Sequence, residues 1–369
     1  MQMKVVAWPG LKEKNVNPYT WLVYQPMESN GAKIIDFSFY KALPSAIDIF
    51  HVHWPEGIFW NRFSRSYPWL AKVYAERLLS AISGVRRAGG AIVWTSHNLQ
   101  PHEPLNSTHE RIWAYFFPQF RSMVDLVINL TAESEALVRA SYPDLEASRF
   151  AIISHPHYRT AYPKAVAIQD ARAAMGVPGD DFILCCVGGI RPSKGILELA
   201  EVFSVAKSGN ERLMISGECT DEGYGTQLRA IAERSGGSIY LRFGRLSDQE
   251  MAVTMSGADV TVINFRNILN SGSVMLSLSY DTPACVPAQG SLRDLFRRIG
   301  GDWLIDLPQP LSAMGLRLII DRVKSAGFKR KQQLLPLPAD FDPETVSLRT
   351  FEEYQLALEA RKARLAPCQ

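Results

Sequence analysis

GGIRPSKGILELAEVF, residues 188–203, follows the apolar run FILCCV of residues 182–187. A run apolar at every position, left through two glycines and followed at once by a helical pattern, predicts a strand buried on both faces and a βα turn. The turn carries two cations, Arg191 and Lys194. Free amide N–H groups and the positive end of the helix dipole point at such a turn, which makes it a seat for anions. A tight connection with two solvated cations fits the same letters.

The same alternation extends in both directions. Downstream, RLMISGE, SIYLRFG, DVTVINF and TPACVPA read as strands, and the segments near 193–207, 223–236, 248–256 and 272–280 as helices. Upstream, KVVAWPG, AKIIDF, AIDIFHVHW, AIVWTSHN, DLVINLT and FAIISHP alternate with helices near 17–30, 66–88, 107–122 and 132–142. Ser107 with Glu110 and Ser247 with Glu250 have capping-box spacing, and Thr131 stands where an N-cap belongs. A polar, proline-containing stretch near 157–180 separates the two series. Repeated βα units predict parallel sheets covered by helices. We therefore expect an α/β chain of two Rossmann-like, doubly wound domains facing a central cleft. Residues 1–158 form the first, with a C-terminal helix of about 344–369 folding back onto it, and residues 159–343 the second.

The 369 residues are too many for one ordinary core. A hydrophobic fraction of 47% with 21% charged residues is globular composition, and a net charge of +3 gives no general attraction to nucleic acid. The five cysteines, Cys185, Cys186, Cys219, Cys285 and Cys368, form no CxxC pair and read as thiols of a reducing compartment. No signal-peptide core and no apolar run of ~18 residues is present, which predicts a cytoplasmic protein. After the first strand stands WPGLKEKN in place of G-x-G-x-x-G, which argues against a dehydrogenase.

Ligands of doubly wound sheets bind beyond the carboxyl ends of the strands. In the second half those ends hold Gly188 and Gly189 with Arg191 and Lys194; Gly217 and Glu218; Gly244, Arg245 and Leu246; and Asn270, Ser271, Gly272 and Ser273 at a helix start. Cations at one turn and a small hydroxyl helix start at another meet the needs of a diphosphate. In the first half two strand ends carry His53 and Glu56, and His97, His102 and Glu103. HxH spacing occurs at His51 and His53, yet no third ligand follows at a recognisable interval, so no metal is expected.

RPSKGILELAEVF, ISGE, YLRFGRLSDQEMAVTMSGADVTVINF and NSGSVMLSLSYDTPACVP, in this order and spacing, resemble the donor half of a GT-B glycosyltransferase. The resemblance implies that Lys194 and Arg191 neutralise the diphosphate of a nucleotide sugar, that the loop Gly244–Ser247 holds its base, and that the HVHWPE and SHNLQPHE loops face the donor sugar. Retaining members of that family carry two glutamates eight positions apart, whose equivalents lie near Ile268 and Leu276; neither is acidic. With ILNSGSVMLSLSYDTP and the opening NPYTWLVYQ, the chain is closer to bacterial exopolysaccharide transferases, the xanthan-type β-1,4-mannosyltransferases that use GDP-mannose. The resemblance thus implies a metal-independent, inverting hexosyltransferase with no cofactor, moving mannose onto a polyprenyl-diphosphate-linked oligosaccharide. A retaining transferase using another donor such as a UDP-sugar, and a binding protein of this fold without catalysis, are the alternatives.

An inverting displacement needs a base opposite the leaving phosphate. Glu56 is the first candidate and Glu103 the second, followed by His97 and His53. Residues 60–88 interleave Trp60, Phe63, Tyr67 and Trp69 with Arg62, Arg65, Lys72, Arg77, Arg86 and Arg87. Such a surface suits an anionic membrane interface, on the inner face of the plasma membrane if the acceptor is lipid-linked; aromatics in a core with cations in water would read the same.

Overall fold

A computed structural model describes residues 2–15, 17–60, 62–101, 104–265, 269–327 and 334–365, with Arg62 and Arg65 as backbone only. His102, Glu103, Ile268 and Cys368 lie outside the described residues. Contacts divide the chain into one unit running to Pro156 and resuming at Ala339, and a second unit, His157–Pro338.

The first unit contains β1 (Met3–Trp8), β2 (Ala32–Asp36), β3 (Ile49–Val52), β4 (Ala91–Thr95), β5 (Leu126–Asn129) and β6 (Arg149–Ile152), paired in the order β2-β1-β3-β4-β5-β6. The second contains β7 (Phe182–Val187), β8 (Glu211–Gly217), β9 (Ile239–Phe243), β10 (Val260–Val262), β11 (Ala284–Val286) and β12 (Leu304–Asp306), in the order β12-β11-β10-β7-β8-β9. Every pairing is parallel. Strands β3, β4, β5 and β7 are buried at every residue, as helices on both faces require, whereas edge strands β2, β6 and β9 keep polar, partly exposed positions. The two α/β sheets and their alternation with helices are those the sequence predicts.

An aspartate immediately before a strand takes a backbone N–H of the neighbouring strand at three places. Asp48 accepts from Lys4 at 2.9 Å, Asp125 from Ile92 at 3.0 Å and Asp259 from Ile183 at 2.8 Å. Each bond fixes the register of a parallel pair at its open end, where a one-residue slip would turn the buried faces outward. Asp259 is compensated by Arg172, whose guanidinium lies 2.6 Å away and also reaches the carbonyls of Gly257 and Gly179.

Helix Pro343–Leu365 belongs to the first unit, where Val346, Tyr354, Ala357 and Leu358 join the core beneath β1, β3, β4 and β5. Arg149 and Glu353 pin it to β6 at 2.5 Å. The Ser247–Glu250 capping box forms, with bonds of 2.7 and 3.2 Å. Thr131 caps helix Ala132–Ser141 with Ser134 as its reciprocal partner. The expected Ser107–Glu110 box is replaced by Asn106, one residue earlier, whose side chain accepts from Thr108 and His109; asparagine is among the strongest N-caps and takes the role. The expected helix 66–88 starts only after Pro68, as Leu70–Arg87, and a separate short helix, Arg62–Ser66, precedes it. Among the described residues no helix is long and apolar enough to cross a membrane.

Removing the Arg172 guanidinium strands a carboxylate that is 5% exposed. Arg172→Ala should lower stability by about 3–5 kcal/mol. Arg139→Ala, which breaks an exposed pair with Glu135, should cost under about 1 kcal/mol. Urea unfolding of the two variants checks this, and equal midpoints would refute it.

Candidate functional site

In the second sheet the chain runs from β7 outward to β8 and β9, then returns to the other side of β7 to form β10. The loops after β7 and β10 therefore diverge at the switch point, the usual place for a ligand in an open parallel sheet. The loop after β7 is Gly188–Gly195, with a single helical turn at Pro192–Lys194, and helix Ile196–Ala206 follows directly. Beyond β10 the chain reaches helix Gly272–Ser279, capped by Ser271, whose hydroxyl accepts from the Val274 N–H at 3.2 Å.

Lys194 bends back across this point. Its Nζ lies 3.0 Å, and the Ser273 hydroxyl 3.8 Å, from where a side chain on Gly188 would begin, so the ammonium and the helix start converge over one glycine. Burial lowers the Lys194 pKa from the ordinary lysine value; the Cys186 thiol opposes the shift and the Arg191 charge adds to it. Arg191 folds over Gly189, its Nε 3.1 Å from the corresponding Cβ position. The Phe265 ring centroid stands 5.8 Å from Lys194 Nζ.

The backbone is closely packed below the two cations. Gly217, at φ +150°, sits so near Gly188 that a Cβ there would approach the Gly188 carbonyl oxygen to 1.9 Å. Gly188 donates to Ser216, Ile190 to Glu218 and Gly244 to Gly217, which extends the sheet pairing into the loops. Asn264, just past β10, ties the two switch-point loops together. Its amide nitrogen donates to the Gly195 carbonyl at 3.1 Å and to Glu198 at 3.2 Å, and its oxygen accepts from Gln309 at 2.9 Å. Asn264, Glu198 and Gln309 were not among the residues singled out from the sequence.

The remaining sequence-derived positions are more dispersed. Glu218 and Arg245 are exposed, and Arg245 places its charge near Tyr162. Leu246 and Asn270 are half-buried on their loops. Leu276 is buried within helix Gly272–Ser279.

In the first sheet the switch point lies between β1 and β3. His53, Trp54, Pro55 and Glu56 follow β3; His97 and Asn98 follow β4. Glu56 is 5% exposed and accepts from the Asn98 amide at 2.7 Å. Burial raises its pKa to about 7 against the lowering effect of Asn98, so this carboxyl changes charge near neutrality.

The histidines form a chain of hydrogen bonds beside it. His97 Nε2 meets His53 Nδ1 at 3.2 Å, His53 Nε2 meets the Tyr24 hydroxyl at 2.7 Å, and that hydroxyl meets His51 Nδ1 at 2.8 Å. His51 continues to Thr95 at 2.8 Å through Nε2 and to the Tyr354 hydroxyl at 2.5 Å through Nδ1. Burial holds His51 and His53 well below the usual imidazole range, each further disfavoured by a neighbouring imidazole. A neutral ring donates through one nitrogen and accepts through the other, so the tautomers of His53 and His97 are coupled through their shared bond. Trp54 stacks on His97 at 4.2 Å between centroids, and Tyr19 closes edge-on at 4.7 Å. His51, Tyr24 and Tyr354 carry this network. Tyr354 is 303 residues from His51 in sequence, and no local pattern marks it.

No family model matches the chain. It is 26% identical over 315 residues to a GDP-mannose:glycolipid 4-beta-D-mannosyltransferase of Xanthomonas campestris pv. campestris, spanning 85% of this chain and 81% of that protein. The structure is similar to sucrose-phosphate synthase of Thermosynechococcus elongatus, with a TM-score of 0.65 at 15% identity over 98% of this chain and all of that one. It is also similar to Anabaena HepE in complex with UDP and glucose, with a TM-score of 0.67 at 13% identity over 96% and 100%. The chain has the GT-B fold, and its sequence is similar to that of the GDP-mannose:glycolipid 4-beta-D-mannosyltransferases.

Proposed function

We propose that the protein is an inverting glycosyltransferase that moves mannose from GDP-mannose onto a lipid-linked oligosaccharide. The observation that carries this reading is the convergence of Lys194, Gly188 and the Ser271-capped helix at the switch point of the second sheet. The leaving group is a diphosphate, and its charge grows as the sugar–oxygen bond breaks. A half-buried ammonium, the adjacent Arg191 and the free N–H groups of a helix start offset that charge without solvent having to reorganise. The glycolipid mannosyltransferase relative supports the donor and the acceptor class.

In the reaction the acceptor hydroxyl oxygen bonds to the anomeric carbon, the bond from that carbon to the β-phosphate oxygen breaks, and GDP departs. The hydroxyl proton passes to a base, for which Glu56 is suited. Its pKa of about 7 makes it a stronger base than an ordinary carboxylate, and Asn98 fixes the orientation of one oxygen. His97, bonded to His53 and stacked on Trp54, is held in one orientation as a polar wall for the sugar. The remaining candidate base, Glu103, lies outside the described residues.

Access to a lipid-linked acceptor requires contact with a bilayer surface. Phe63, Tyr67 and Trp69 are 52%, 56% and 61% exposed, whereas Trp60 packs against the core. Lys72 and Arg77 are exposed beside them, and Arg86 is committed to Asp125 at 3.5 Å. An exposed aromatic and cationic strip favours peripheral binding to an anionic membrane.

A bound diphosphate favours charged Lys194, so GDP affinity should fall as pH rises through the lowered pKa of the free enzyme, with proton uptake on binding in that range. Lys194→Met should remove this step and weaken GDP by roughly 10- to 150-fold, the loss of one charge-assisted bond. Calorimetry in buffers of different ionisation enthalpy reads both, and a pH-independent affinity would contradict the assignment. Turnover should rise with pH through about 7 as Glu56 ionises. Glu56→Gln should abolish that limb and lower turnover by ~10²–10⁴ with GDP affinity retained. Asn98→Leu, by removing a donor to the carboxylate, should move the limb to higher pH. An unchanged pH–rate profile in Glu56→Gln would exclude it as the base.

A further inference from the structure

Between β2 and β3 the chain crosses the edge of the first sheet as a loop and lies against helix Leu70–Arg87. The two enclose a solvent-open cavity of about 640 Å³. Phe37, Leu43, Ile47 and Val85 give it an apolar lining; among the described residues Lys41 and Arg77 are the charged ones that line it, and no described carboxylate does.

The loop is held in place at both ends. The Tyr40 hydroxyl bonds that of Tyr74 at 2.8 Å, and Phe37 and Phe39 pack edge-on against Trp8. Lys4 Nζ donates to the Ser45 carbonyl at 3.2 Å, and the Lys4 N–H to Asp48. Ala46 between these bonds has φ +55°. The cavity is therefore a preformed groove, with the ordering cost already met by the fold.

On the helix the groove follows Arg77, Ala81, Gly84 and Ala88, a single stripe at i, i+4, i+7 and i+11. Extended toward the N-terminus by steps of four, the stripe reaches Val73, 43% exposed, and Trp69, 61% exposed. Trp69 to Ala88 spans 19 residues, about 28 Å at 1.5 Å per residue. An apolar groove continued on the helix by exposed Val73 and Trp69, with two cations that no described lining carboxylate opposes, matches a molecule with a hydrocarbon chain and a phosphate.

We infer that this groove binds a single anionic phospholipid, one of its acyl chains along the Gly84 stripe and its phosphate between Lys41 and Arg77. The charge complementarity chooses this occupant: a zwitterionic lipid would bring its own cation to the two of the groove, and free phosphate would leave the apolar floor in water. The continuous exposed strip to Trp69 gives the chain a route in from a bilayer surface. The inference concerns a site separate from both strand-end clusters, so it stands or falls without the sugar-transfer reading.

Gly84 supplies the test. No atom lies within 4 Å of a Cβ built on it and its φ is ordinary for a helix, so a larger side chain fills the groove without displacing the protein. Native mass spectrometry of the delipidated full chain with phosphatidylglycerol should show one retained lipid, with phosphatidylcholine at least about tenfold weaker and millimolar inorganic phosphate failing to compete. Gly84→Leu should lose retention at least tenfold while melting at the wild-type temperature or above and binding GDP unchanged. Lys41→Glu with Arg77→Glu, both on the surface, should abolish the preference for phosphatidylglycerol. Equal retention in wild type and Gly84→Leu would overturn the inference, as would equal binding of the two lipids. A concentration-dependent dimer that Gly84→Leu disrupts, with no lipid retained, would assign the groove to a second copy and equally overturn it.

Discussion

The backbone beneath Lys194 has no space for a side chain. Gly217 lies so close to Gly188 that a Cβ on Gly217 would run into the Gly188 carbonyl, and this contact sets the height of the turn after β7. Because the turn is low, Lys194 can reach back over Gly188 and arrive at the start of the Ser271-capped helix. Because its ammonium is then partly out of water, its charge is costly without an anion and strongly effective with one. The same parallel pairing that places Gly188 sets the loops after β7 and β10 side by side, and Asn264 joins them through the Gly195 carbonyl. The proposed anion seat follows from sheet topology, glycine packing and one lysine.

The first unit solves a different problem with similar economy of parts. A carboxyl and three imidazoles are buried at the ends of β3 and β4, where unpaired charge would be expensive. Burial keeps His51 and His53 neutral, and both bond to Tyr24, while Glu56 accepts from the Asn98 amide and has a pKa of about 7. An array of neutral donors and acceptors with one titratable carboxyl suits a polar, uncharged ligand such as a sugar. The returning helix completes it, because Tyr354 closes the last bond to His51.

Much of this was legible in the sequence, for identifiable reasons. Apolar runs such as FILCCV mark buried parallel strands, and their alternation with helical periods predicts two doubly wound sheets. The turn after β7 announces itself through paired glycines and cations. Capping at Ser247 is encoded within four residues and is read correctly, whereas at Ser107 the better cap one residue earlier takes over. Short elements escape: β12 is the three residues Leu304–Asp306 and helices Leu292–Ile299 and Ile168–Met175 have eight each, while Ala313–Ala326 goes unread although Ser312 caps its start and Gly327 its end. The partners of the site residues escape as well. Asn98 is adjacent to His97 but gives no sign of Glu56, 42 residues away. Asn264 bonds across 69 residues and Tyr354 across 303. Such pairings are consequences of topology, visible only once the strands are ordered.

The account rests on positive charge in the second unit meeting the diphosphate. A crystal structure of the protein with GDP tests this most directly. It should show the β-phosphate within hydrogen-bonding distance of Lys194 Nζ and of the N–H groups of Gly272 and Ser273, above Gly188. Phosphates seated away from Lys194 and the Ser271-capped helix, with that turn left in water, would contradict it.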